Sequence, residues 1–295
     1  MIPVSPPGHT KRPFEMVVKL GLQKIKKNGT FAKAVPKCCF VLRFDIQRYM
    51  RKFINTVGEY FMLLGRVLRK PDSGKAFRKQ LFYELRVLGI ESLPIACIIS
   101  AFVGAAVVIQ LAASLSNPIY PTWITGYTSR KAIMLEFAPT MIGLVLAGKV
   151  GSRIASELGT MRITEQIDAL DIMGVNSANY LILPKISAFM LFSPIIVTLS
   201  VFSALFGGWL FGMLSGAMSS YEYLDGLQLE FDSYDMFYGI TKGIVYNFII
   251  ASVSSYRGYT VSGGALEVGQ ASTRAVVESC TVLIVANLAL TSILI

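Results

Sequence analysis

Two stretches of this chain, 92–129 and 186–221, contain no Asp, Glu, Lys or Arg. Each is far longer than the roughly 20 residues an α-helix needs to cross a bilayer. A helix that is apolar on every side must be buried or immersed in lipid, and lipid forces each backbone polar group to be satisfied within the helix. The chain is therefore expected to be all-α and polytopic. Hydropathy divides it into five spans, near 92–115, 132–150, 186–214, 236–256 and 275–295. Composition agrees, with 53% hydrophobic and only 16% charged residues.

Charge orients these spans. Residues 1–86 hold 19 of the 28 Lys and Arg but 5 of the 18 acids, net +14, which leaves the remainder at −4. A basic half of this kind can bind nucleic acid. Beside membrane spans, attraction to anionic cytoplasmic headgroups is the simpler explanation, and no nucleic-acid partner is expected. The N-terminus is then cytoplasmic. Segment 216–235 carries five acids (Glu222, Asp225, Glu230, Asp232, Asp235) and no base, as an external loop should. Five spans put 151–185 and 257–274 in the cytoplasm and the C-terminus outside. Arg130 and Lys131, in the first external loop, run weakly against this assignment.

Ahead of the spans, residues 1–36 read as a disordered basic tail with prolines at 3, 6, 7, 13 and 36. Residues 37–86 read as interfacial amphipathic helices. Phe53, Val57, Tyr60, Phe61, Leu64 and Leu68 share one face, Pro71 to Gly74 breaks the pattern, and 75–86 leads into the first span. Residues 87–295 make up the five-span domain. No apolar core follows the first residues, so no signal peptide is expected.

The longest polar interruption in the second half is 157–174. As one helix it would align Ile163, Ile167, Leu170 and Met173 in a stripe, with Arg162, Glu165, Asp168 and Asp171 along another edge. Thr160 suits an N-cap without a capping box, and Gly174 suits a C-cap. Such a helix could receive a push from a soluble partner; an ordinary solvated loop helix has the same pattern.

Charged residues within spans are expensive, about 2.5–3.5 kcal/mol each at the bilayer centre. Glu136, Lys242 and Glu278 therefore need partners or a purpose, and Gln110 is an uncharged candidate for lining a cavity. Glu136 and Lys242 both lie toward the outer leaflet on spans running the same way, where either could snorkel, so their pairing stays open. Gly104, Gly143, Gly148, Gly207 and Gly208 favour close helix approach. Gly143 to Lys149 fits the start of a phosphate-binding loop, but Val150 follows and no strand precedes it, so the chain is not expected to hydrolyse ATP. Four cysteines without metal-ligand spacing and a lone His9 leave no metal site and no catalytic set.

The run Glu157-Leu-Gly-Thr-Met-Arg-Ile-Thr-Glu-Gln-Ile-Asp-Ala-Leu170, with Ala147-Gly-Lys-Val-Gly-Ser152 before it, closely resembles the signature of the MlaE permease family. Glu136-Phe-Ala-Pro139, Tyr180-Leu-Ile-Leu-Pro184 and Gly269-Gln-Ala-Ser-Thr-Arg-Ala-Val-Val277 extend the resemblance from about residue 40 to the C-terminus. Leu135 and Lys149 depart from it, each standing where some members have Arg. The resemblance implies a homodimeric permease subunit of an ABC system in the bacterial inner membrane, with its C-terminus periplasmic. Stretch 157–174 would be a coupling helix, in which Glu157, Gly159, Thr160, Met161, Arg162, Thr164, Glu165, Gln166, Asp168 and Asp171 meet a separate ATPase. That ATPase would bind the ATP and Mg, with no cofactor in this chain. Phospholipid would occupy a cavity at the dimer interface, and an MCE-domain protein on the external face would take or deliver it. A small STAS-type regulator is a further candidate partner. The rival functions are an ion-coupled secondary transporter and a membrane-embedded lipid-modifying enzyme.

Overall fold

A computed structural model describes residues 54–68, 74–115, 121, 123–216 and 218–294. The expectations for 1–36 and for 37–53 lie outside these residues. The chain divides into two units, Met1–Glu59 and Tyr60–Ile295. Of the first, residues 54–59 are described and are helical. The second holds α1 (60–67), α2 (Gly74–Ser114), α3 (Ile124–Ile163), α4 (Gln166–Ile172), α5 (Ser177–Leu214), α6 (Ser220–Gln228), α7 (Ser233–Tyr259) and α8 (Ala265–Leu294). Among the described residues there is no strand. Helices α2, α3, α5, α7 and α8 are long and apolar enough to cross a membrane, as the charge-free runs required.

The helices outrun the expected spans, chiefly at the end bearing α4. The first span and the basic piece 75–86 form one continuous helix, α2. Helix α5 begins at Ser177 instead of 186, and α8 at Ala265 instead of 275. Hydropathy detects the apolar window, whereas a helix continues for as long as its ends are capped. Asn176 caps α5 by accepting from the Asn179 amide, and Asp232 caps α7 by accepting from the Tyr234 amide. At 41 residues α2 is about 60 Å long, roughly twice the bilayer core.

Helix α5 is the centre of the bundle, packing on α2 and α7, and α7 packs on α3 and α8. Ile133, Leu146, Ile154, Phe189, Ile196, Tyr246 and Ile250 form a core that is closed to solvent. The α2–α5 crossing is backbone to backbone. A Cβ on Gly104 would overlap the Ala204 carbonyl oxygen, and one on Gly207 would overlap that of Ala101. Only glycine fits such an approach. Gly104→Val should destabilise the fold by about 1–3 kcal/mol, toward the upper end because the clash is with main chain. The midpoint of SDS-induced unfolding in mixed micelles checks this.

Helix α8 is different. Its buried residues Val268, Ala275, Ser279 and Leu283 form one stripe, while Val277, Ile284, Val285, Leu288 and Ile293 are exposed.

At the opposite end from α4, α6 is closed by a capping box between Ser219 and Glu222. Arg130 explains its own exception to the charge rule. Its guanidinium is buried and donates to the carbonyls of Leu227 (2.6 Å), Leu229 (3.0 Å) and Glu230 (2.9 Å). It satisfies the C-terminal carbonyls of α6 instead of serving as a free loop charge. Burial pushes the Tyr223 phenol up to about 12, so it stays neutral and donates to the Leu205 carbonyl at 3.3 Å.

Candidate functional site

Stretch 157–174 is not the single helix expected. Residues 157–163 are the last turns of α3, and Thr160 lies inside that helix, its hydroxyl donating to the Ser156 carbonyl at 2.8 Å instead of capping. Thr164 bonds back in the same way to the Thr160 carbonyl at 2.8 Å, which competes with continuation of the helix. Glu165 then turns left-handed, with φ of 59°, and α4 starts anew. Gly174, with φ of 79°, ends α4 as expected. The Val175 amide reaches the Leu170 carbonyl and the Gly174 amide that of Asp171, a Schellman closure.

The break divides the expected stripe and edge between two helices. Ile167 is fully buried, Ile163 and Leu170 are half-buried, and Met173 is 68% exposed beside Ile172 at 86%. Across the break Arg162 holds Asp168 at 2.5 Å, and its guanidinium lies 6.0 Å from the centre of the Tyr259 ring. The Tyr259 hydroxyl meets Ser177 Oγ at 2.8 Å, and Asp171 accepts from the Ser177 amide at 3.4 Å. The connection is thus braced against α5 and α7 while its apolar tip points to solvent. Arg162, Ile163, Glu165, Asp168 and 259–263 line an open concavity of about 430 Å³ beside it. Gln166 is exposed and Met161 packs on the core. Gly159 is a packing residue, since its Cβ would come to 3.0 Å from Val268 of α8.

Glu136 and Lys242 do pair, at 2.6 Å. That their spans run the same way does not keep them apart; equal depth on adjacent helices is what brings them together. Pro139 has no N–H to give the Leu135 carbonyl, and α3 widens into a π-turn over Ile133–Phe137. The freed carbonyl accepts from Lys242 Nζ at 3.3 Å. Thr291 of α8 takes the ammonium's third proton at 2.8 Å and itself donates to Glu136 at 3.0 Å. The Lys242 side chain is fully buried, with Nζ also 4.6 Å from the centre of the Tyr238 ring. Next to it the Tyr246 hydroxyl donates to Asn287 at 2.6 Å. Of the other intramembrane polar candidates, Glu278 accepts from Arg257 Nε and Nη2, at 2.5 and 2.6 Å, and Gln110 lies on the exposed side of α2.

One cluster escaped the sequence. Lys185 of α5 donates to Glu84 of α2 at 2.6 Å and to Glu157 of α3 at 2.9 Å. The signals available were that Lys185 follows Pro184 and sits at the very edge of an uncharged run. Nearby, Arg153 of α3 holds Glu91 of α2 at 2.7 Å in the open, and Lys149 donates to the Glu91 carbonyl.

Comparison with known proteins agrees with this architecture. The family described as Permease MlaE matches residues 81–293. A "Probable ABC transporter permease protein" of Synechocystis sp. is 34% identical over 227 residues, 77% of this chain and 86% of its own length. One from Rickettsia typhi is 30% identical over 258 residues, 84% of this chain and 96% of its own. The chloroplastic protein TRIGALACTOSYLDIACYLGLYCEROL 1 of Arabidopsis thaliana is 31% identical over 239 residues, 78% of this chain and 66% of its own. With five long apolar helices and the match over most of its length, this chain is a multi-pass membrane protein that belongs to the MlaE permease family.

Proposed function

We propose that the chain is the membrane subunit of an ABC system that moves phospholipid, driven by a separate ATPase seated on 164–176. The observation that carries this is the exposed pair Ile172 and Met173 on a short helix held in place by buried Ile167 and by the Arg162–Asp168 pair. A solvated loop has no need to present two large apolar side chains on a braced support. Acidic Glu165 and Asp168 flank the neighbouring concavity and give a partner a charged rim. On this reading 164–176 faces the cytoplasm and α6 faces outward, toward an MCE-domain partner, in the inner membrane. The apolar flank of α8 supports a second copy of the chain as its cover, with lipid held between the two. The Arabidopsis relative bears the name of a diacylglycerol glycolipid, in keeping with a lipid cargo.

Glu165→Lys tests the docking. The residue is exposed and already in the left-handed region, so stability should change by no more than about 0.5 kcal/mol. ATP-driven lipid movement in vesicles reconstituted with the ATPase should fall at least about tenfold, the size of a typical coupling energy. Unchanged movement removes Glu165 from the docking surface. The Glu136–Lys242 pair, with its ammonium fully buried, favours a second reading, an ion-coupled carrier, which requires full transport with no ATPase present.

A further inference from the structure

We infer that Lys185 is the joint through which displacement of the ATPase-docking stretch reaches the membrane helices, releasing Glu157 while it keeps Glu84. This rests on the reading that an ATPase seats on 164–176. One ammonium serves two carboxylates on two different helices, and the two contacts are unequal. Glu84 is 0% exposed and its Oε2 has no partner, so it depends on Lys185 and has no water to turn to. Glu157 is 38% exposed and can exchange the ammonium for solvent. A pull on this site therefore opens the Glu157 contact first.

The backbone around each member suits such a movement. Glu157 sits on Ser152–Ile163, a regular segment between the π-turn at Ala147–Gly151 and the left-handed break at Glu165. That segment is a lever with an irregular turn at each end. Glu84 immediately precedes the irregular turns Leu85–Gly89 and Ile90–Ser92 of α2. Lys185 follows Pro184, which removes a backbone hydrogen bond inside α5. Glu84 thus adjoins irregular turns of α2, Lys185 adjoins Pro184 in α5, and Glu157 stands on the regular segment between two other irregular turns. The α2–α3 contacts alongside, Arg153 to Glu91 and Lys149 to the Glu91 carbonyl, are solvent-exposed and can re-form after a shift.

The test uses the full chain with its ATPase in vesicles of phosphatidylethanolamine and phosphatidylglycerol carrying a fluorescent phospholipid. ATP hydrolysed and lipid moved are measured together. Glu157 lies on α3 outside 164–176 and is engaged by Lys185 instead of the docking surface, so Glu157→Gln should keep ATPase association, folded fraction and hydrolysis within about twofold of wild type. Lipid moved per ATP should fall at least about tenfold. Lys185→Arg, which keeps a cation able to reach both carboxylates, should keep the wild-type ratio. An unchanged ratio in Glu157→Gln overturns the inference, as does a fall matched by equal loss of ATPase association or of folded protein. If wild type itself retains no ATPase or moves no lipid with ATP, the docking reading falls instead.

Discussion

Glu136→Leu should lower the stability of the fold by about 3–5 kcal/mol, the usual result of leaving one member of a buried ion pair alone. Lys242 is fully buried on α7, and its three protons go to Glu136, Thr291 and the Leu135 carbonyl. Removing the carboxylate leaves a fully buried ammonium whose remaining partners are neutral dipoles. The double variant Glu136→Leu with Lys242→Met should recover most of the loss, since a well-packed apolar pair is often as stable as a buried ionic one. SDS-induced unfolding of the two variants decides. A single variant as stable as the double shows that Lys242 finds another partner. Because Thr291 and Asn287 come from α8, the single variant should also loosen α8 against α7, visible as faster hydrogen exchange in the last turns of α8.

Lys185→Met should be of similar size, about 3–5 kcal/mol, for the opposite reason. It strands Glu84, a carboxylate with no exposure that already has one oxygen without a partner. Glu84→Gln added to it should restore part of the stability by removing the orphaned charge. Glu157→Leu alone should cost much less, because its partner Lys185 still holds Glu84 and because Glu157 is itself partly solvated. Thermal unfolding of the three variants should therefore rank Lys185→Met as the least stable by a wide margin. Equal losses in Lys185→Met and Glu157→Leu contradict the asymmetry between the two contacts.

The fold class was legible because charge-free runs of this length have few other uses. The five spans and Gly174 as a helix terminator could both be read from residue type and spacing. Helix ends could not, since α5 and α8 extend through polar residues that hydropathy discounts, α5 from the side-chain cap at Asn176. Pattern alone also cannot distinguish one helix over 157–174 from two with Glu165 between them. Gly159, Thr160 and Thr164 are all weak helix formers, yet the helix runs through the first two and breaks only after the third, where the Arg162–Asp168 pair spans the break. The ion pairs were the hardest to read. Glu84, Glu157 and Lys185 lie 28 to 101 positions apart, and only the packing of α2, α3 and α5 makes them neighbours. Glu136 and Lys242 could be named but not joined, since depth in the membrane is shared by every helix and says nothing about which two touch.

The most direct measurement is lipid movement by the purified chain in sealed vesicles, with and without its ATPase and with ATP or a non-hydrolysable analogue. Movement that requires the ATPase and hydrolysable ATP together is the predicted result. Equal movement by the chain alone, or movement that follows an ion gradient and ignores ATP, would contradict it.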